Sequence, residues 1–143
     1  MAKVTFLLGL AGSGKSHEAE ILCTKTGAEF IEGPEGEALK KQHMFNHLTS
    51  GKDCVVEEIA YCRPSCREAI VFSLCSAVPG IEIEWVCFEN NIESANWNVM
   101  HRKNKGDVPG HLHINNCYHG LYIYPSGVEI KPIVRIDENK ATA

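Results

Sequence analysis

The sequence has 143 residues and a net charge of −4 with its histidines neutral, and 44% of its residues are apolar. This size and composition suit a globular protein with one core, so we expect a single domain over residues 1–143. The acidic balance argues against a protein that binds an extended duplex, and no apolar run approaches the roughly 20 residues that span a membrane.

The first half of the chain alternates apolar runs with helical patterns. Residues 4–8 form a continuous apolar run that predicts a buried strand, and residues 15–26 follow as a helix that ends at Gly27. A short strand over 28–31 and a helix over 37–48 come next, separated by a glycine-rich turn.

The second half continues the alternation. Its predicted elements are strands over 54–56 and 81–88 and helices over 65–77 and 92–103. The first of these helices starts with Ser65-x-x-Glu68, which has the form of a capping box. Residues 106–113 contain two glycines and a proline and predict a loop, and residues 121–136 predict two extended pieces around a turn.

This alternation predicts an α/β fold. Strands and helices that follow one another regularly form a mostly parallel sheet with helices on both faces. We therefore expect a three-layer α/β fold with about five strands.

The cysteines indicate a reducing compartment. There are seven, scattered along the chain and often inside apolar segments. An odd number without paired spacing is typical of reduced thiols that act as small core residues, so we expect a cytoplasmic protein.

Residues 9–16 read GLAGSGKS and match the phosphate-binding pattern Gly-x-x-x-x-Gly-Lys-Ser between a predicted strand and a predicted helix. Glycines let the backbone curl so that its N–H groups point at an anion, and the helix start adds its positive dipole end. Lys15 is expected to reach the β- and γ-phosphates, and Ser16 to offer its hydroxyl to Mg²⁺. The predicted phosphate-binding residues are Gly9, Gly12, Ser13, Gly14, Lys15 and Ser16.

Three glutamates follow predicted strands. Glu57 and Glu58 end the third strand, and Glu32 ends the second. Ligands of open α/β sheets bind at the edge formed by the carboxyl ends of the strands. One of Glu57 and Glu58 can therefore hold the Mg²⁺ water shell while the other orients a substrate hydroxyl. Glu32 can accept the proton of an attacking hydroxyl. The alternative for Glu57 and Glu58 is a solvated pair of acids at a strand end, and for Glu32 a turn residue before Gly33-Pro34.

Four stretches together resemble small P-loop kinases of the polynucleotide kinase-like and zeta-toxin-like group. They are GLAGSGKS at 9–16, FIEGP at 30–34, VVEEIAYCRPSCRE at 55–68 and WVCFENNIESANWNVMHRKNKGD at 85–107. The resemblance implies the three-layer fold of the P-loop NTPases. The family usually has aspartates where this chain has Glu32, Glu57 and Glu58.

The resemblance implies roles for individual residues. Glu32 would be the base, and Glu58 together with Glu57 would stand by the Mg²⁺. Arg102 and Lys103, with Lys105 as a further candidate, would form a basic lid around residues 100–112 that closes over the transferring phosphoryl group. A cation there stabilises the charge that spreads over the equatorial oxygens. A solvated helix end is the alternative for these residues.

Several other patterns have plainer interpretations. Residues 104–107 read NKGD, a guanine-reading pattern, but they follow a helix rather than a strand. Arg63 and Arg67 either hold an anionic substrate or pair with a neighbour such as Glu68.

The residues His111, His113, Cys117 and His119 invite a zinc interpretation without the paired Cys-x-x-Cys of structural sites. His43 and His47 lie one helical turn apart, where a solvated pair is the simpler expectation.

The sequence thus predicts a kinase that uses ATP and Mg²⁺ to phosphorylate a hydroxyl group. The resemblance suggests the end of a nucleic acid as acceptor, whereas the acidic net charge favours a small molecule such as a nucleoside or a sugar. The alternative is a module that binds and slowly hydrolyses a nucleotide, ATP rather than GTP, and acts on a protein partner.

Overall fold

The computed structural model describes residues 2–137, so residues 1 and 138–143 of the predicted domain lie outside the described residues. The strands are β1 (Lys3–Leu8), β2 (Glu29–Glu32), β3 (Cys54–Glu57), β4 (Glu82–Phe88) and β5 (Ile130–Lys131). The helices are α1 (Lys15–Thr26), α2 (Ala38–Thr49), α3 (Pro64–Ala77), α4 (Ile92–His101) and α5 (Val108–Tyr118). Two short 3₁₀ helices span Pro34–Gly36 and Ile59–Cys62.

The five strands form one sheet in the order β2-β3-β1-β4-β5, and every pairing is parallel. The most fully buried strand, β1, lies in the middle, where both of its edges are paired. The predicted α/β class with a parallel sheet of about five strands is confirmed. All carboxyl ends of the strands meet at one edge, which is where ligands bind in such sheets.

Side chains alternate across β1 and produce the two helical layers. Phe6 belongs to the core cluster on the α2 and α3 side, with Met44 and Leu74. The next residue, Leu7, packs on the opposite face with Ala19 of α1. A continuous apolar strand is required here because both faces of the sheet are covered.

One predicted loop is a helix. Residues 106–113 were expected to be irregular, but α5 begins at Val108. The Asp107 carboxylate accepts a hydrogen bond from the Gly110 N–H at 3.1 Å and caps the helix, and Pro109 lies in the first turn. The prediction was wrong because proline at the start of a helix is favourable, since its missing N–H would have no partner there.

Two further predictions differ from the structure. Helix α3 begins at Pro64 after Arg63, without a side-chain cap, so Ser65 lies inside the first turn and forms no capping box. Of the two extended pieces predicted in the tail, only the second contains a strand, the two residues of β5. No helix within residues 2–137 has the length and apolar character needed to cross a membrane.

Candidate functional site

A cleft of about 770 Å³ opens at the carboxyl edge of the sheet. Its walls come from the loop after β1, the ends of β2 and β3, the α4–α5 corner and the C-terminal segment. The cleft is lined by residues 11–18, Glu32, Glu57, Phe88, Asn98, Arg102, His111, Lys131, Pro132, Val134 and Ile136. Most of the predicted phosphate-binding residues therefore lie in one cavity, with Gly9 just beneath it.

The loop after β1, residues 9–14, contains the predicted phosphate-binding glycines, and we call it the phosphate loop. It needs glycine at two positions. Gly12 has a φ of 87° and Gly14 a φ of 108°, in the left-handed region that favours glycine. A β-carbon on Gly12 would also collide with the Ala95 carbonyl oxygen of α4. Gly14 is the N-cap of α1, so the positive end of that helix faces the cleft.

The loop carries a buried hydroxyl without a partner. Ser13 is 2% exposed, and its Oγ has no hydrogen-bond partner within residues 2–137. Buried polar groups are nearly always hydrogen-bonded, and those that are not point to a missing ligand or a functional role. A hydroxyl and successive backbone N–H groups at a helix start form a fitting cradle for a phosphate.

Lys15, Ser16 and Glu57 converge at the end of β3. The Lys15 side chain is 6% exposed, and its Nζ donates to the Gly9 carbonyl at 2.6 Å and lies 3.8 Å from Glu57 Oε1. Ser16 Oγ donates to Glu57 Oε2 at 3.1 Å. The ammonium group of Lys15 is thus held by the loop itself, and the Ser16 hydroxyl lies beside a carboxylate oxygen of Glu57. Such oxygens are the donors that Mg²⁺ prefers.

The two neighbouring glutamates of this strand end differ in environment. Glu58 is 8% exposed and is absent from the residues that line the cleft. Its Oε1 accepts from the Glu35 N–H at 2.8 Å, and its Oε2 accepts from the Ala60 N–H at 3.1 Å. Because consecutive side chains of an extended segment point in opposite directions, only Glu57 faces the phosphate loop. The contacts of Glu58 instead fix the backbone of the following turn and of the 3₁₀ helix Pro34–Gly36.

Glu32 ends β2 beside Glu57, its register partner, and lines the same cleft. Its backbone carbonyl accepts from Lys40 Nζ at 2.9 Å. Among the described residues its carboxylate has no hydrogen bond or ion pair. The structure therefore brings together two of the three acids predicted for the site, and one of these is free to accept a proton.

The basic corner contributes one predicted residue to the cleft. Arg102 follows α4, and its guanidinium donates to the Lys105 carbonyl, through Nη2 at 2.8 Å, and to His111 Nδ1 at 2.5 Å. Both Arg102 and His111 line the cleft, whereas Lys103 is exposed and outside its lining. His111 was not predicted as a neighbour of Arg102, because that contact depends on helix α5.

A buried asparagine that sequence reasoning missed holds the phosphate loop. Asn115 of α5 is fully buried, and its Oδ1 accepts from the Ala11 N–H at 2.8 Å. Its Nδ2 donates to the Ala11 carbonyl at 2.9 Å and to Asn96 Oδ1 at 2.9 Å. One side chain therefore satisfies both backbone groups of Ala11. The only sequence signal was a polar amide inside an otherwise apolar helical face.

A second asparagine joins the loop to the C-terminal segment. Asn98 of α4 donates through Nδ2 to the Gly12 carbonyl at 2.9 Å and to the Val134 carbonyl at 3.0 Å. Its Oδ1 accepts from the Ile136 N–H at 2.8 Å. The C-terminal segment thus forms one wall of the cleft and is held there through its backbone groups. No side-chain pattern in the sequence predicts such contacts.

The remaining candidates have structural roles. Arg67 is buried and donates through Nη1 to the carbonyls of Tyr61 and Cys62 at 2.8 and 3.0 Å, which stabilises the turn after β3. Arg63 is exposed at the start of α3. Neither arginine lines the cleft. The aspartate of the NKGD stretch caps α5, as described above.

The histidines and cysteines of 111–119 do not converge. His113 Nε2 and Cys117 Sγ lie 3.7 Å apart, and no three of these four side chains form a metal-binding group within the described chain.

Burial affects other thiols: it raises the pKa of Cys62 to about 11, although the charge of Lys15 opposes this.

Comparisons with known proteins support the fold. No protein-family model and no curated protein matches the sequence. Among the solved structures that match is a gluconokinase from Sinorhizobium meliloti 1021, with a TM-score of 0.62 and 20% sequence identity. The match covers 91% of this chain and 81% of that one. The chain thus shares its fold with this gluconokinase.

Proposed function

We propose that this protein is a kinase that transfers the γ-phosphoryl group of ATP to a hydroxyl group of a small molecule. The observation that carries the proposal is the cluster of Lys15, Ser16 and Glu57 at the phosphate loop, with the unpaired carboxylate of Glu32 beside it. The first three residues suit a metal-bound triphosphate, and the fourth suits an acceptor that must lose a proton.

The residues fit both ATP and Mg²⁺. The loop glycines, the hydroxyl of Ser13 and the start of α1 would bind the phosphates, and Lys15 would contact the outer ones. Ser16 and Glu57 would hold Mg²⁺ directly or through its water shell. When bound, Mg²⁺ neutralises phosphate charge and lowers the barrier to transfer. We assign this role to Glu57 rather than Glu58, whose two carboxylate oxygens are bound to backbone amides.

Glu32 would act as the base. Its carboxylate is free and exposed, lines the cleft and stands next to the proposed metal ligand in the sheet. In phosphoryl transfer the acceptor hydroxyl gives up its proton as the new bond forms, and a positioned carboxylate accepts it.

Arg102 would stabilise the phosphoryl group in transit. It lines the same cleft as the acids and is held there by Lys105 and His111. The segment around 100–112 would act as the lid of a single kinase domain, with Lys103 and Lys105 contributing to its positive charge. A fixed cation near the equatorial oxygens stabilises the transition state more than the ground state.

The acceptor is proposed to be small and hydroxylated. One cleft of about 770 Å³ would have to hold the phosphates and the acceptor together. The net charge of −4 disfavours long nucleic acid, and the similar solved structure is named a gluconokinase. The end of a nucleic acid, suggested by the sequence resemblance, is the competing acceptor. We place the reaction in the cytoplasm, in keeping with the scattered cysteines.

The test is a transfer assay with γ-labelled ATP and MgCl₂. The protein is incubated with panels of sugars and sugar acids, nucleosides, and oligonucleotides with free 5′ ends. Label in a small acceptor supports the proposal, and label in oligonucleotides alone replaces the acceptor class. Release of free phosphate without any labelled acceptor would indicate a hydrolysing switch and overturn the kinase. The variant Lys15→Ala serves as the inactive control.

A further inference from the structure

Three side chains with metal-binding groups meet far from the cleft. Glu29 is the first residue of β2, and His43 and His47 lie one turn apart on α2. Glu32, the residue of the same strand that lines the cleft, is its last, about 10 Å away along a strand that rises 3.3 Å per residue. The group is therefore at the opposite edge of the sheet from the phosphate loop.

The Glu29 carboxylate lies between the two imidazole rings. His43 Nε2 lies 2.9 Å from Glu29 Oε1, and His47 Nδ1 lies 3.1 Å from Glu29 Oε2. One ligand atom from each residue can be chosen so that all three lie within 4.8 Å of one another. Two ligands about 2.1 Å from a tetrahedral ion are themselves about 3.4 Å apart, so little movement is needed to bind one ion.

The donor set selects the kind of metal. Two imidazoles and one carboxylate suit Zn²⁺ and similar transition-metal ions, whereas Mg²⁺ prefers oxygen ligands alone. The Glu29 carboxylate offers two oxygens, and each of them lies within hydrogen-bond distance of one of the two rings. To bind a metal, each ring nitrogen that now faces the carboxylate must present a lone pair, with its proton moved to the other ring nitrogen or released.

We propose that Glu29, His43 and His47 form a binding site for a divalent transition-metal ion such as Zn²⁺, with solvent completing its coordination. The ion would join the start of β2 to α2 and stabilise that pair of elements. The site is separate from the proposed Mg²⁺ site in ligand chemistry and in position, and it does not depend on the proposed kinase activity.

One neighbour opposes the ion and provides a sharp test. The positive charge of Lys52 acts on Glu29, and Lys52 lines the shallow cleft beside Glu29 and His47. This charge repels a cation, so its removal must strengthen binding. Loss of a ligand and loss of Lys52 should thus change the affinity in opposite directions.

The experiment is calorimetric titration of the metal-free full-length protein with ZnCl₂. We expect one ion per chain, and an affinity at least about tenfold weaker in Glu29→Gln and in His43→Ala, since even the outer partners of metal ligands contribute about that factor. Lys52→Gln should bind more tightly than the unsubstituted chain. The control is the double variant His113→Ala with Cys117→Ser, which removes the other close pair of zinc-binding side chains and should bind unchanged.

Two further measurements keep the outcome clear. At one fixed concentration, Zn²⁺ should raise the thermal unfolding midpoint of the unsubstituted chain and of the control by more than that of Glu29→Gln, and MgCl₂ should not replace it. His43 is largely exposed, so its alanine variant is expected to fold, which circular dichroism checks. The proposal would be overturned if Zn²⁺ did not bind, or if its binding depended on His113 and Cys117 instead. The Glu29 carboxylate would then serve only to contact the His43 and His47 rings.

Discussion

Ser16 Oγ lies 3.1 Å from Glu57 Oε2, so a hydroxyl from the start of α1 meets a carboxylate from the end of β3. The two residues are 41 positions apart in the chain and meet because β1 and β3 are parallel neighbours, with Leu7 opposite Glu57. This contact defines the proposed metal position, and it makes the neighbouring pair Glu57 and Glu58 a natural comparison.

Glu57→Gln should reduce turnover by about 100-fold or more without unfolding the protein, since electrostatic groups at the transferring phosphoryl contribute on this scale. Glu58→Gln can keep only one of its two bonds to backbone amides, so it should lose about 1–3 kcal/mol of stability with little direct effect on transfer. Steady-state assays and urea unfolding of both variants make the measurement. The reverse pattern would return the metal role to Glu58.

Glu32→Gln should slow phosphoryl transfer by about 10²- to 10⁴-fold and leave nucleotide affinity unchanged, because a general base acts only in the chemical step. Single-turnover transfer and a nucleotide-binding titration separate the two effects. The matched control is Glu37→Gln, which alters an exposed glutamate of the same connection. Full turnover in Glu32→Gln would exclude this carboxylate as the base.

Arg102→Ala should lower turnover more than it weakens ATP binding, because its guanidinium lies in the cleft wall and would act on charge that develops during transfer. Lys103→Ala removes a neighbouring positive charge that is exposed and outside the lining, and should change turnover by less than a few fold. The ratio of kcat and KM effects is the measurement. Equal effects of the two variants would favour a general basic patch over a specific contact.

Asn115→Ala should leave the N–H and the carbonyl of Ala11 without their partners, at no more than about 1–3 kcal/mol each because Ala11 is only partly buried. The phosphate loop would then be less well ordered, so ATP affinity should fall together with stability. Asn116→Ala, one residue along the same helix and exposed, is the control. Urea unfolding measures the stability of both variants, and nucleotide titration measures their ATP affinity. If Asn115→Ala kept both its stability and its ATP affinity, Asn115 would have no role in positioning the loop.

The thiols should fall into two classes at pH 8. Burial raises the pKa of Cys54 to about 12 and of Cys87 to about 11, so both stay protonated well above pH 8 and are poor nucleophiles. The exposed Cys75 and Cys117 should react quickly with a thiol reagent. In guanidinium chloride all seven should react. Fast reaction of Cys87 in the native protein, identified by mass spectrometry, would contradict this packing.

The fold was largely predictable from local patterns. A continuous apolar run before GLAGSGKS can only be a strand buried on both faces, and the helical spacings after it leave few other arrangements. Helix α5 was missed because Val108-Pro109-Gly110 looks like a break until Asp107 is seen to cap it. A helix start and a turn use the same residue types, and their difference lies in what the following residues pack against.

The sequence by itself determined the parallel sheet, the glycine-rich loop after β1 and the set of acids at the strand ends, because these follow from periodicity and from a contiguous motif. Only the tertiary structure decided that Glu57 rather than Glu58 faces the loop, that Asn98 and Asn115 hold it, and that Glu29 meets two histidines. The direction of a side chain at a strand end and the pairing of residues distant in sequence depend on how the layers pack. No local pattern carries that information.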